Sequence, residues 1–251
     1  MIDFSPIDFR NYQGFAPSIS HIPLTWEGCV PEAREHKNAA ATAVTILLES
    51  HSGEDFSIDY FIGNKTYSIG AITLLECFKI AHKFGAVKLS DFPFSPKDDE
   101  TAVELVEEFE DSLIQKSYKV NQYVYLEDFN SIKKLIELTN KPVVAMIEWY
   151  SDTEVRKGTI RSRKKGTYDI KPLLIYGWTE RGWKVLNPND PSWGENGCAI
   201  LPFHVPIYEC WGIVPPELEE KKCFIVKKPY SSKVGNFFAK VLNSLGLILG
   251  F

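Results

Sequence analysis

The stretch that decides the fold spans residues 168–200 and reads YDIKPLLIYGWTERGWKVLNPNDPSWGENGCAI. The apolar run 172–177 predicts a buried strand, and residues 179–182 predict a turn. A second strand is predicted over 183–186. A loop rich in proline and asparagine follows, and a third strand begins at Cys198. The stretch therefore predicts three consecutive strands of an antiparallel sheet.

The order of residues in this stretch resembles the catalytic half of the papain-like cysteine peptidases. In that family the first strand begins with the catalytic histidine, the second ends at the asparagine that orients it, and Trp-Gly-Glu-Asn-Gly precedes the next strand. Asn187 lies six residues before Trp193, as the family pattern requires. The resemblance implies that Trp193 and Gly194 have structural roles beside a cleft. The histidine position is occupied by Lys171.

The preceding half of the chain predicts helices. An apolar helix is predicted over 38–49, with Asn38 as its N-cap. Amphipathic helices follow over 68–85, 100–115 and 127–140. Residues 141–149 then lead into the sheet.

The resemblance to the papain-like family extends over these helices as a pattern. In the family the central helix begins at the nucleophile, ten residues before a glutamate, and counting back from Glu49 gives Ala39. The segment 6–10 resembles the opening of bacterial members. The resemblance implies an α+β, papain-like fold of two lobes, one helical with a buried central helix and one antiparallel and β-barrel-like. The apolar stripe of the last residues adds a predicted C-terminal apolar helix, which the family's ordinary domain does not need.

This pattern predicts the following division of the chain. A papain-like domain covers 1–214, with a helical lobe over about 30–125 and a β lobe over about 126–214 that also takes the N-terminal segment. Residues 215–230 form a linker, and 231–251 form the C-terminal helix.

The residues needed for papain-type chemistry are mostly missing. That chemistry needs a thiolate at a helix N-terminus and an imidazole that moves protons. Ala39 carries no nucleophile, and a lysine at 171 ordinarily keeps its proton until far above neutral pH. Only Asn187 of the triad is in place. The family's oxyanion glutamine falls at Ala33, which Glu32 and Glu35 flank.

The resulting hypothesis is a non-catalytic papain-fold protein, a pseudopeptidase without a cofactor, that binds a polypeptide partner. One alternative is a cysteine peptidase seen as a Cys-to-Ala variant at position 39. A nucleophile at Cys29 is a weaker alternative, because such enzymes also need a histidine where Lys171 stands.

Composition limits the remaining classes of function. The net charge of −5 argues against nucleic-acid binding. Five cysteines without metal-site spacing predict free thiols in a reducing compartment, and the absence of a leader pattern favours a cytoplasmic protein. Asn189 and Asp190 offer too few oxygen ligands for calcium, so no metal is expected.

Two further segments are candidates for partner binding. Six basic residues fall within 156–165 and predict either a solvated hairpin tip or a docking flap for an acidic partner: Arg156, Lys157, Arg161, Arg163, Lys164 and Lys165.

The C-terminal segment 231–251 carries an apolar stripe that includes Phe237, Phe238, Val241, Leu242 and Leu245. It predicts docking on this or another protein, self-association, or contact with a membrane interface, with the protein then peripheral to the membrane. A third hypothesis follows, in which a membrane-associated effector or toxin acts through this tail.

Overall fold

A computed structural model describes residues 39–65, 72–93, 99–190 and 192–216. It contains five helices and eight strands in these ranges: α1 (Ala39–Ser52), α2 (Ile58–Gly63), α3 (Leu74–Lys83), α4 (Asp99–Lys116), β1 (Gln122–Tyr125), α5 (Phe129–Thr139), β2 (Val143–Tyr150), β3 (Glu154–Arg156), β4 (Thr159–Arg161), β5 (Tyr168–Thr179), β6 (Gly182–Leu186), β7 (Cys198–Leu201) and β8 (Ile207–Val214). The fold is of the mixed α+β class, with helices mostly before strands along the chain.

Helix α1 is the buried centre of the helical part. Its residues 40–48 are all buried, because the sequence is apolar on every side and alanine allows close packing. The helix packs against β2 and β5, and its Val44 and Leu48 share one apolar core with Leu174 of β5. The central helix predicted from Asn38 is thus confirmed from Ala39 onward.

The other helices differ from the sequence prediction mainly at their ends. Helix α3 begins at Leu74 rather than at Ser68, because Thr73 has an extended backbone and its hydroxyl accepts the amide of Glu76 at 3.2 Å. The prediction was therefore wrong about residues 72 and 73, which are not helical. The short α2 was not predicted.

The strands form one sheet in the order β1-β8-β2-β5-β6-β7-β4-β3, antiparallel except for the parallel pair β4–β7. The predicted strands at 172–177, 183–186 and from Cys198 are confirmed as parts of β5, β6 and β7. Strand β1 pairs with β8, so the sheet already begins at Gln122, on the helical side of the expected lobe boundary.

The central strands of this sheet separate two apolar cores. Val144 and Leu174 belong to the core shared with α1, whereas Ala145 and Leu173 belong to a second core covered by α5. Side chains alternate across a strand, so the even-numbered residues of β2, and of the part of β5 that pairs with it, face the core shared with α1. The odd-numbered residues face the second core.

Several predicted features lie outside the described residues. They include the N-cap Asn38, Cys29, the N-terminal segment, most of the linker and the C-terminal helix with Phe237, Phe238, Val241, Leu242 and Leu245. Within the described ranges, no helix is both long and apolar enough to cross a membrane.

Candidate functional site

Lys171 lies near the start of β5 and packs on an aromatic side chain. It pairs with Ile147 of β2, so both side chains share the face of the second core. Trp149 lies on the same face, two residues after Ile147 on β2. The Lys171 Nζ lies 5.2 Å from the centroid of the Trp149 ring. This is a cation–π contact with the face of an indole. Lys171 is half-buried.

Trp193 also contacts Trp149. Its ring centroid lies 5.9 Å from that of Trp149, and both indoles pack against the second core. The structure therefore brings Lys171 together with Trp193, through a tryptophan that sequence analysis did not single out. The signal that could have found Trp149 is its place on the predicted strand 141–149, but the register with β5 was needed to pair it with Lys171.

Asn187 follows the end of β6 and organises the loop that leads to Trp193. Its backbone amide donates to the Gly197 carbonyl at 2.8 Å, and its side-chain Oδ1 accepts the amide of Asn189 at 3.0 Å. Since Leu186 pairs with Leu174, continuing the register places Asn187 beside Leu173, two residues from Lys171. The side-chain oxygen of Asn187 thus stabilises its own loop by a hydrogen bond.

The segment Trp193–Gly197 forms a tight turn that only small or permissive residues can adopt. Gly197 donates to the Trp193 carbonyl at 2.7 Å, and Glu195 donates to the Cys198 carbonyl at 2.9 Å. Gly194, Asn196 and Gly197 all have positive φ, at 63°, 55° and 78°. A Cβ on Gly194 would lie 2.3 Å from the carbonyl oxygen of Cys198, so this position requires glycine.

Neither Ala39 nor the described cysteines offer a reactive thiolate. Ala39 begins α1, where the backbone amides of the first turn favour an anion, but its side chain is a methyl group. Cys77, Cys198 and Cys210 are free thiols. Burial raises the pKa of all three thiols, so none has the thiolate character of a catalytic cysteine.

The three described histidines lie on separate elements. His51 lies in α1, His204 lies in the β7–β8 connection, and His82 lies in α3 with its Nδ1 2.8 Å from the Val120 carbonyl oxygen. His82 is half-buried, and its ring contacts that of Tyr123. None of the three lies on the strands that carry Lys171 and Trp149.

The face of the sheet that packs against α1 becomes exposed near the end of β2 and the start of β5. We call this exposed surface the tyrosine platform, and it consists of Tyr150, Tyr168, Ile170 and Tyr208. By parity, the platform continues the face on which Val144 and Leu174 pack against α1. Three of its side chains are well exposed, Tyr168 at 49%, Tyr208 at 39% and Ile170 at 36%. Sequence analysis missed this surface because it depends on the pairing of β2 with β5.

Glu148 holds the platform together. Its Oε1 accepts the hydroxyls of Tyr150 at 3.2 Å and Tyr208 at 3.3 Å, and its Oε2 lies 2.8 Å from the ammonium of Lys164. The hydrogen bond from Lys164 lowers the pKa of Glu148, which therefore stays ionised as the common acceptor. Tyrosines fixed in this way form a rigid surface for an incoming chain.

The basic residues of the sequence separate into two groups. Arg156 and Lys157 lie at the tip of the β3–β4 hairpin, where Lys157 and Gly158 have φ of 51° and 68°. Arg161, at the end of β4, pairs across the hairpin with Glu154. The expected single hairpin tip therefore accounts for only two of the six residues.

The second basic group lies on the loop 162–167, beside the platform. Asp152 anchors this loop, since its carboxylate accepts the Ser162 hydroxyl at 2.8 Å and the amide of Arg163 at 2.9 Å. Burial opposes its ionisation, but these hydrogen bonds prevail and lower the pKa of Asp152. Lys164 contacts Glu148, and Arg163 and Lys165 are exposed.

Comparison with known proteins identifies the fold. Among solved structures, xylellain, a cysteine protease from Xylella fastidiosa, is similar with a TM-score of 0.56 at 17% identity, over 71% of this chain and 80% of that chain. Procathepsin B from Trypanosoma congolense has a TM-score of 0.52 at 14% identity, over 71% and 68% of the two chains. A cysteine protease from Carica candamarcensis, in complex with E-64, has a TM-score of 0.52 at 10% identity, over 73% and 92%.

These similarities show a papain-like fold, and their low identity limits them to the fold. No protein-family model matches the chain, and no curated protein matches it. The α+β, papain-like architecture expected from residues 168–200 is confirmed.

Proposed function

We propose that this protein is a non-catalytic papain-fold protein that binds a polypeptide along the tyrosine platform. The observation that carries the proposal is the residue found where, by the family resemblance, a peptidase would have its catalytic base. Lys171 stands there, with its ammonium over the ring of Trp149. Lysine lacks the imidazole ring that accepts and returns a proton near neutral pH in papain-type chemistry.

The rest of the frame supports binding without chemistry. The Trp193–Gly197 turn and the Asn187 loop keep their hydrogen bonds although Ala39 offers no nucleophile. A scaffold that retains its turns and loses its reacting groups still presents an organised surface to a chain. In this proposal Asn187, Trp193 and Gly194 maintain the shape of the β part.

The platform supplies the apolar part of the binding surface. Tyrosine gives a large contact area at a low cost in conformational entropy, and it is enriched where proteins bind polypeptides. Here Glu148 already fixes Tyr150 and Tyr208 before any partner arrives. Pre-organisation of this kind reduces the entropy lost on association.

The charge around the platform favours an acidic polypeptide. Within the described residues, Lys164 is the one member of the basic run seen in an ion pair, and that pair is with Glu148. Arg163 and Lys165 lie exposed on the same loop, in a protein whose net charge is −5. A local excess of cations on an acidic protein steers acidic partners to this face.

Peptide selection tests this proposal. Peptides selected from a displayed library with the full chain would be measured by fluorescence anisotropy against Tyr168→Ala. We expect about tenfold weaker binding, because an exposed aromatic anchor of this size typically contributes 1–2 kcal/mol. Tyr118→Ala is the matched control, since Tyr118 is exposed to a similar degree, 37%, and lies outside the platform.

Two results would overturn the proposal. One is equal affinity of the wild type, Tyr168→Ala and Tyr118→Ala for every selected peptide. The other is cleavage of those peptides by the wild-type protein, detected by mass spectrometry, which would establish a peptidase.

A cysteine peptidase with alanine in place of its nucleophile is the second candidate. The intact turn at Trp193–Gly197 and the similarity in fold to cysteine proteases favour it. Lys171 argues against it, because replacement of a nucleophile alone would leave a histidine at that position.

A further inference from the structure

A polar pocket lies beside Lys141, just before the start of β2, whereas the platform lies at the end of that strand. Its volume is about 510 Å³, within the range of small-molecule sites. The C-terminal end of α1 contributes His51, the connection after α4 contributes Lys119 and Asn121, and the segment after α5 contributes Lys141. The lining also includes the end of β8 and Pro216. The pocket thus lies where the helical part meets the edge of the sheet, a common place for ligand sites.

The lining of this pocket is cationic. It includes two lysines, and none of its described lining residues is a carboxylate. Lys141 donates to the Ser50 carbonyl oxygen, which fixes the ammonium and leaves two of its three N–H donors for another partner. Lys119 is exposed. Two lysines that line one cavity, with no carboxylate among the described lining residues, suit a ligand with several negative charges.

His51 adds a second observation. Its Nε2 is buried and has no hydrogen-bond partner, which is unusual because buried polar atoms are almost always satisfied. Burial, reinforced by the charge of Lys141, lowers the pKa of His51 to about 4, so the ring is neutral at physiological pH. A neutral imidazole in the lining offers one donor without adding charge.

We propose that this pocket binds a carboxylate ligand through Lys119 and Lys141. The inference is independent of the polypeptide-binding function, because it uses no residue of the platform or of the position at Lys171. Two sources of carboxylate fit this chemistry. One is a free polycarboxylic acid, and the other is the chain's own Glu217, Glu219 and Glu220, which follow Pro216 in the sequence.

Calorimetric titration with citrate tests the proposal on the full chain at low salt. We expect saturable binding, and we expect Lys119→Gln to weaken it about tenfold, the loss of one charge-assisted contact of about 1.4 kcal/mol. Lys79→Gln is the matched control, since it removes the same charge from an exposed site on α3. Lys119→Arg should bind almost as the wild type does. Lys119 is exposed, so these variants are expected to fold.

A triple variant separates the two sources of carboxylate. Glu217→Gln, Glu219→Gln and Glu220→Gln together would remove the chain's own acids. If citrate binds the wild type, a free acid is the ligand; if citrate binds only the triple variant, the chain's own carboxylates compete for the pocket. The proposal is overturned if neither protein binds citrate, or if Lys119→Gln and Lys79→Gln bind it equally.

Discussion

Replacing Gly194 by alanine probes the turn on which the site depends. Gly194 has a φ of 63°, and a Cβ there would lie 2.3 Å from the Cys198 carbonyl oxygen. That carbonyl accepts the Glu195 amide at 2.9 Å, so relieving the overlap breaks this hydrogen bond. The left-handed conformation costs about 1 kcal/mol for alanine. The lost hydrogen bond costs about 1 kcal/mol, and displacement of the backbone about 1 kcal/mol more.

The expected loss in the free energy of unfolding is therefore about 3 kcal/mol, or about 6–12 °C in Tm for a domain of this size. Gly53→Ala is the matched control. Gly53 has a φ of 75° but nothing within 4 Å of its would-be Cβ, so only the conformational cost of about 1 kcal/mol applies. The entropy that alanine removes from the unfolded chain is common to both variants and cancels in the comparison.

Urea unfolding followed by tryptophan fluorescence measures both variants, because Trp193 adjoins the turn and contacts Trp149. The reasoning predicts that Gly194→Ala is less stable than Gly53→Ala by about 2 kcal/mol. Equal stabilities, within about 0.5 kcal/mol, would refute the claim that this turn excludes a side chain at 194.

Three further predictions concern charge and packing. Burial raises the pKa of Glu49 to about 7 from its ordinary 4.5. Between these pH values the folded state therefore binds more protons than the unfolded state. As a result, Glu49 lowers the free energy of unfolding as the pH rises through this range. Glu49→Gln should therefore gain stability relative to the wild type as the pH rises from about 5 to about 8, by about 1–3 kcal/mol in urea melts; a constant difference would contradict this. A double-mutant cycle with Trp149→Leu and Lys171→Met should give a coupling energy of about 0.5–1 kcal/mol for the cation–π contact, and strict additivity would exclude the contact. Asp152→Ala should cost about 1 kcal/mol and speed tryptic cleavage within 163–165, whereas an unchanged cleavage rate would mean that Asp152 does not anchor the loop.

The central elements of the fold were predictable because their signals are local. The apolar run in β5, the turn before Gly182 and the glycine-rich segment after Trp193 each specify their own backbone. Helix α2 was missed because six residues with a terminal glycine give no helical period. The start of α3 was placed too early, since the cap at Thr73 outweighs the apolar pattern before it.

The site was predictable only in part, because its contacts join distant segments. Lys171 and Asn187 could be identified from spacing, but the stack of Lys171 on Trp149 depends on the register of β2 with β5. The acceptor role of Glu148 for Tyr150 and Tyr208 likewise needs β8 beside β2. Sequence periodicity states which face a residue occupies, and only the assembled sheet states its neighbours.

The central claim is that a papain-like frame persists here without its nucleophile and its base. Installing both groups, as Ala39→Cys with Lys171→His, tests this most directly. The measurement is the rate at which an epoxide thiol probe modifies residue 39 at neutral pH, with the wild type as the control for the native cysteines. We expect the double variant to react at least about tenfold faster than Ala39→Cys alone, because an imidazole that reaches a thiol at a helix N-terminus stabilises the thiolate. Equal rates in the two folded variants would contradict the claim, since the imidazole at 171 would then have no effect on the thiol at 39.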